Sequence, residues 1–205
     1  MIVDDITYAL HTKNYIPIDC IKKQIILANT FNNNMNHIIG WKTRMNGEYK
    51  KTAPFTIAID GTIFKHYDPI CTSKFFGDKE IDKQTIVILL ENDGWLLRDM
   101  EKNLFITWVG GIYNELTPIV EKRWRGYNYW SSYSKKQLES AVELVTHLCN
   151  EFSIPMNVIG HNTKIDDIIT YEGVLYKSNF EKHYNDLNPT WDFTNFKNKL
   201  ENLNK

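Results

Sequence analysis

The run Thr85-Ile86-Val87-Ile88-Leu89-Leu90 is apolar without interruption, and Asn92-Asp93-Gly94 follows it. A run this short fits a strand, and its lack of alternation means that both faces of the strand are covered. The Asn-Asp-Gly triplet supplies the turn that ends it. A chain that buries such a strand must bring layers to both sides of one sheet. The strongest helical segment provides one of them. From Ser134 to Phe152, residues Leu138, Ala141, Val142, Val145, Leu148, Cys149 and Phe152 form one apolar stripe. Ser134 with Gln137 makes a capping box, and Pro155 follows the helix end.

The remaining elements arrange themselves around these two. Lys23 to Thr30 reads as a buried strand, and Phe31 to Met45 as a loop leading into a short helix. Pro54 to Tyr67 reads as a hairpin: Phe55, Ile57 and Ile59 alternate, Asp60-Gly61 turns, and Ile63 and Phe64 return. Asn103 to Tyr113 and Asn157 to His161 are expected to be strands, and Phe193 to Leu203 a terminal amphipathic helix. Strands and helices alternate with a hairpin between them. This predicts an α/β fold with a central mixed β-sheet flanked by helices. At 205 residues the chain is expected to form a single domain, residues 1–205, with an aromatic-rich insertion at about 95–133.

Composition removes several function classes. Lysine plus arginine is 24 against 25 acidic residues, so the chain lacks the basic footprint of a nucleic-acid binder. Its longest apolar run is far too short for a membrane span. Met1 to Leu10 carries Asp4 and Asp5 and no basic segment, which predicts no signal peptide. Cys20, Cys71 and Cys149 are widely spaced and odd in number, which gives neither a disulfide framework nor a metal knuckle. Free thiols in a reducing compartment are the expectation.

Among the histidines, His11, His37, His66 and His147 lack spaced partners that suggest chemistry. His161 differs, because it ends a short apolar strand after the long helix. A side chain there points toward the crevice where α/β sheets bind ligands. Asp186 follows 25 residues on, within Asn185-Asp186-Leu187-Asn188-Pro189-Thr190-Trp191. Histidine and aspartate are legitimate zinc ligands, yet a catalytic zinc needs three protein ligands and a water. From spacing alone, a polar loop packed on the last helix explains the segment equally well.

The ordered set of these signals resembles a family: the zinc-dependent N-acetylmuramoyl-L-alanine amidases of type 2, which include phage amidase-lysozymes and animal peptidoglycan recognition proteins. The resemblance runs over residues 23 to 197. It rests on the strand ending in Ala28-Asn29-Thr30, on Trp41, and on the Phe55 to Ile63 hairpin. It continues through the Thr85 to Leu90 strand, the helix opened by Gln137, Ile154-Pro155, Gly160-His161 and the Asp186 to Trp191 segment. The resemblance implies cleavage of the amide between muramic acid and L-alanine. It implies zinc as cofactor, peptidoglycan as partner, and His161 and Asp186 as the second and third metal ligands.

The departures fall on the chemistry. The place of the first zinc ligand falls on Ala28 or Asn29, and alanine has no donor atom. The proton-carrier place falls near Leu89 or on the hairpin, and the substrate-facing histidine is replaced by Thr56. The resemblance therefore implies weak or absent zinc, with Glu91 and Tyr184 as the remaining proton carriers. Trp41, Thr56 and Asn29 are the expected substrate contacts. His37 or His183 could stand in as a ligand, and Asp93 as a base. The stretch Trp124 to Tyr133 interleaves aromatics with Lys122, Arg123 and Arg125. It suits sugar rings, a protein interface such as other virion proteins, or packing on its own domain. The expected functions are a phage peptidoglycan amidase with doubtful hydrolysis, or a structural tail or baseplate protein on the same fold. Either would sit in the virion or in the host cytoplasm before lysis.

Overall fold

The computed structural model describes residues 1–161, 163–180 and 184–203. The strands are β1 (Val3–Asp4), β2 (Gln24–Asn29), β3 (Phe55–Ile57), β4 (Ile63–Lys65), β5 (Thr85–Leu90), β6 (Trp95–Asp99), β7 (Leu104–Thr107), β8 (Ile119–Trp124), β9 (Tyr127–Ser131) and β10 (Gly173–Tyr176). The helices are α1 (Asn36–Thr43), α2 (Lys79–Gln84), α3 (Lys135–Phe152) and α4 (Phe193–Leu203). Two sheets result: a six-stranded one ordered β1-β4-β3-β5-β2-β10, and a four-stranded one ordered β7-β6-β9-β8.

The six-stranded sheet is mixed. β10, β2, β5 and β3 run parallel, and the β3–β4 hairpin is its antiparallel element. β5 lies inside it, and all six of its residues are buried. Period-two alternation divides the central strands between two cores. Ile25, Leu27, Ile57, Ile86, Ile88 and Leu90 pack with Leu138, Leu148 and Phe196 of α3 and α4. Ile26, Ala28, Val87 and Leu89 pack on the other face with Met35, Ile38 and Trp41 from and beside α1. This two-sided burial is why the β5 run shows no alternation. The Ser134 capping box is present, and Ser140 Oγ donates to Gly61 O at 2.6 Å, docking α3 on the hairpin turn. Gly61 has φ +90°, and a Cβ there would meet Lys136 Cβ at 2.9 Å, so the turn requires glycine.

The second sheet departs from expectation. The Asn103 to Tyr113 segment is not one strand: β7 stops at Thr107 and the chain reverses, so that Ile112 bridges back to Ile106. Gly110, with φ +84°, permits the reversal. β6, β8 and β9 complete an antiparallel sheet within the expected aromatic-rich insertion, where no strand beyond the Asn103 to Tyr113 segment was expected. The Asn157 to His161 strand is also reduced, to a single bridge between Val158 and Val174. β10 takes the edge beside β2 instead, and Thr163 N donates to Gly160 O, turning the chain away at His161. Among the described residues, no helix is long and apolar enough to cross a membrane.

Ile88 is fully buried at the centre of β5. Ile88→Ala should cost about 4 kcal/mol, read as a lowered urea midpoint. Ile2→Ala, at a site 92% exposed, should change stability by less than about 0.5 kcal/mol.

Candidate active site

The parallel strands end together at Asn29 and Leu90, and their neighbours bring the candidate residues to this edge of the sheet. Register places Ala28 beside Leu89 and Leu89 beside Thr56, in one row across β2, β5 and β3. The resemblance puts the first metal ligand at Ala28 or Asn29, the proton carrier near Leu89 or on the hairpin, and the substrate-facing histidine at Thr56. Their side chains share the face covered by α1. Ala28, Leu89 and Thr56 are 0%, 3% and 0% exposed, and Trp41 is buried with them.

Thr56 anchors a chain of hydrogen bonds on that face. His66 Nδ1 lies 2.9 Å from Tyr8 O, a carbonyl that can only accept, so Nδ1 carries the proton. His66 Nε2 is then an acceptor and takes the Thr56 hydroxyl proton at 2.8 Å. Thr56 Oγ1 in turn accepts from His37 Nε2 at 3.1 Å. The His37 ring stands edge-on to Trp41 at 4.9 Å. Burial lowers His37 to about 3 and His66 to about 4, so both imidazoles are neutral near pH 7. The sequence gives no local signal for this network, because its members lie 19 and 10 residues apart.

On the other face, Asn29, Asp186 and Tyr133 meet. The Asn29 backbone N–H donates to Asp186 Oδ2 at 3.2 Å. The Tyr133 hydroxyl donates to Asn29 Oδ1 and accepts from Asn188 N at 3.3 Å. Asp186 is 0% exposed, and Lys177 Nζ stands 3.9 Å from its Oδ2. Burial pushes the Asp186 carboxyl above the usual carboxylate range, against the pull of Lys177. Tyr184 sits beside the same cation, with Lys177 Nζ 4.5 Å from its ring centroid. His161 donates from Nε2 to Leu187 O at 3.2 Å, and its ring stacks on Phe193 at 3.7 Å and tilts against Trp124 at 5.3 Å. Burial lowers it to about 4.

Glu91 closes the other end of the edge. It is 5% exposed, and its two carboxylate oxygens accept from Met35 N and Ile59 N, each at 3.1 Å. It also borders an open cleft of about 510 Å³, shared with Tyr8, Asn34, Asp60 and Leu116. Asp93 is buried, accepts from Asn33 Nδ2 at 3.2 Å, and is raised by burial. His183 lies outside the described residues.

The aromatic stretch packs largely on its own domain. Trp130 is fully buried, Trp95 stacks on Tyr127 at 4.2 Å, and Trp124 lies 5.3 Å from Trp130. The exposed apolar side chains of this sheet are instead Leu97, Met100, Trp108, Val109, Ile112 and Leu116.

The profile of the N-acetylmuramoyl-L-alanine amidase family matches residues 20–171, well over half the chain. The chain belongs to the type 2 N-acetylmuramoyl-L-alanine amidases. The fold agrees. The amidase LysC from Clostridium intestinale URNW superposes with a TM-score of 0.54 at 15% identity, covering 98% of each chain. The PlyG catalytic domain gives 0.55 at 13% identity, covering 98% of this chain and 94% of that one. A mutant endolysin from Bacillus subtilis gives 0.55 at 12%, with 98% and 99% covered. No curated protein matches the sequence.

At the place of the first zinc ligand, the side chains present fit zinc poorly. Ala28 offers no lone pair, the acceptor oxygen of Asn29 is taken by Tyr133, and its Nδ2 is a donor. Among the described residues, no group of three His, Cys, Asp or Glu side chains is arranged to hold a metal ion.

The neutral histidines set an acid dependence. Unfolded, His66 takes a proton near the ordinary imidazole value of 6.5, whereas folded it holds out to about 4. The unfolded state binds more protons in that window, so this contribution is full above it and is lost as pH falls through it. Urea midpoints should fall between about pH 7 and about pH 5. His66→Gln should show a smaller fall over the same interval, and an unchanged slope would remove His66 as a cause.

Proposed function

We propose that this chain is a phage-type, peptidoglycan-directed member of the amidase family in which hydrolysis of the muramoyl–L-alanine amide is weak or absent. One observation carries the reading: the sheet row Ala28–Leu89–Thr56 contains neither a metal ligand nor a group that transfers protons at neutral pH. A zinc amidase polarises the carbonyl, activates a water and needs a nearby acid or base. His161 and Asp186 alone leave a metal mostly water-bound and readily lost.

In this reading the chain's own residues bind and position. Wall fragments enter the open cleft beside Glu91, where Asp60, Asn34 and Tyr8 supply polar contacts. Trp41 and Thr56 stand on the α1-covered face of the sheet, and Asn29, on the opposite face, is the remaining proposed substrate contact. Glu91 and Tyr184 are the groups through which residual proton transfer would pass. The protein would act from the virion or from the host cytoplasm before lysis. A second reading, a tail or baseplate component that uses the fold for assembly, is favoured by the exposed Trp108, Val109 and Ile112.

Elemental analysis of the purified chain should find well under one zinc per chain, and cell walls should release little L-alanine-linked peptide. Asn29 adjoins Asp186, so Asn29→His should raise zinc retention above the unmodified chain's. One zinc per unmodified chain, together with peptide release, would overturn the proposal.

A further inference from the structure

A second cavity, of about 410 Å³, lies at the opposite end of the central sheet. Its lining comes from the segment before β2 (Ile16, Ile18, Cys20), from Thr72 to Lys74, and from Gly77 and the residues of α2. These flank the starts of β2 and β5, whereas the candidate active site lies at their ends. Six-residue strands separate the two by about 20 Å. The volume falls within the range of small-molecule sites.

The walls have used up most of their own polar groups. Ile16 N donates to Thr72 O at 2.7 Å, Thr72 N to Ile16 O at 3.2 Å, and Cys20 N to Ile70 O at 3.0 Å. The Thr72 and Ser73 hydroxyls turn away, to Asp82 O at 2.6 Å and Thr52 O at 2.8 Å. The Asp82 carboxylate accepts from Phe76 N at 2.7 Å and Gly77 N at 3.0 Å. What remains for an occupant is apolar surface. Ile18, at its edge, is 60% exposed.

The rim is cationic. Lys74, Lys79 and Lys83 border the cavity against one carboxylate, Asp82. Lys83 lies 3.5 Å from Glu80, while Lys74 and Lys79 have no ion pair among the described residues. Beneath the floor, Lys22 is 4% exposed and its ammonium donates to Cys71 O, Lys83 O and Thr85 O at 2.8, 3.0 and 3.3 Å. An apolar chamber with a lysine rim discriminates by charge: it accepts an alkyl chain bearing an anion and rejects the same chain bearing a cation.

We propose that this cavity is a binding site for a small amphipathic carboxylate, with its alkyl chain against Ile16 and Ile18 and its carboxylate at Lys74 and Lys79. Cys20 lines the cavity and is half-buried, which provides a reporter on the intact chain. Alkylation of Cys20 by iodoacetamide, followed by peptide mass mapping, is measured with dodecanoate, dodecanol or dodecyltrimethylammonium, each below its micelle-forming concentration. Occupancy slows the reaction by the factor 1 + [L]/Kd, so about tenfold protection is expected at about ten times Kd of dodecanoate. The cation should give none, and Lys74→Glu with Lys79→Glu should reverse that order. Equal protection by all three ligands would overturn the anion preference, and no protection by dodecanoate would overturn the site. Neither outcome depends on zinc or on wall hydrolysis.

Discussion

The carboxamide of Asn92 joins the parts of this molecule that meet at the candidate active site. It is 2% exposed at the end of β5. Its Nδ2 donates to Ser131 O at 3.2 Å and Ser132 O at 3.1 Å. Its Oδ1 accepts from Gly94 N, Ser131 Oγ and Asn188 Nδ2 at 2.8, 2.8 and 2.9 Å. The second sheet and the Asp186–Trp191 segment are thereby fixed to the strand that both cores share. Aspartate would lose the donor, and leucine would lose both functions and leave the Asn188 amide buried without one of its partners. The positions of Tyr133 and Asp186 follow from this junction, since Asn188 N donates to Tyr133 and Asp186 lies two residues before Asn188.

The same edge of the sheet shows stability and chemistry in opposition. A metal ligand, a proton carrier and a substrate-facing histidine in one row would each need polar partners or water. Ala28 and Leu89 need neither, and Met35, Ile38 and Trp41 close over them. Burying a leucine-sized side chain contributes about 2 kcal/mol, whereas an unpaired buried carboxylate costs several. Apolar side chains at Ala28 and Leu89 therefore suit this enclosed face of the sheet. The polar residue that remains, Thr56, is retained between two neutral histidines that satisfy it completely.

What was legible in the sequence was local. The β5 run, the α3 stripe with its capping box, and the Asp60-Gly61 hairpin are each complete within a few residues, and each appears where expected. β8 was not legible, because Ile119–Trp124 alternates weakly and Glu121, Lys122 and Arg123 are exposed. β10 is four residues long and follows an irregular stretch, so its partner β2 supplies the ordering that its own sequence lacks. The Tyr133 contact with Asn29 spans 104 residues and has no spacing signature. The aromatic run was readable as enriched, with packing on its own domain as one of three readings; its ring pairs were not readable, because ring-on-ring contact depends on a sheet register that no periodicity announced.

The surroundings of Asp186 bear directly on the proposal that zinc is bound weakly or not at all. A divalent cation needs an ionised carboxylate with free lone pairs, and favours sites where negative charge collects. Here the carboxyl is fully enclosed and its Oδ1 has no hydrogen-bond partner among the described residues, but burial favours its neutral form and Lys177 already stands 3.9 Å from Oδ2. An arriving cation would face that ammonium across a low-dielectric gap, where like charges repel far more strongly than in water. Tyr133 occupies the carboxamide oxygen beside it, so the neighbouring donor cannot turn to help. In that proposal, the enclosure that Tyr133 and the second sheet give to this corner works against metal binding, because a catalytic zinc needs an open position for water.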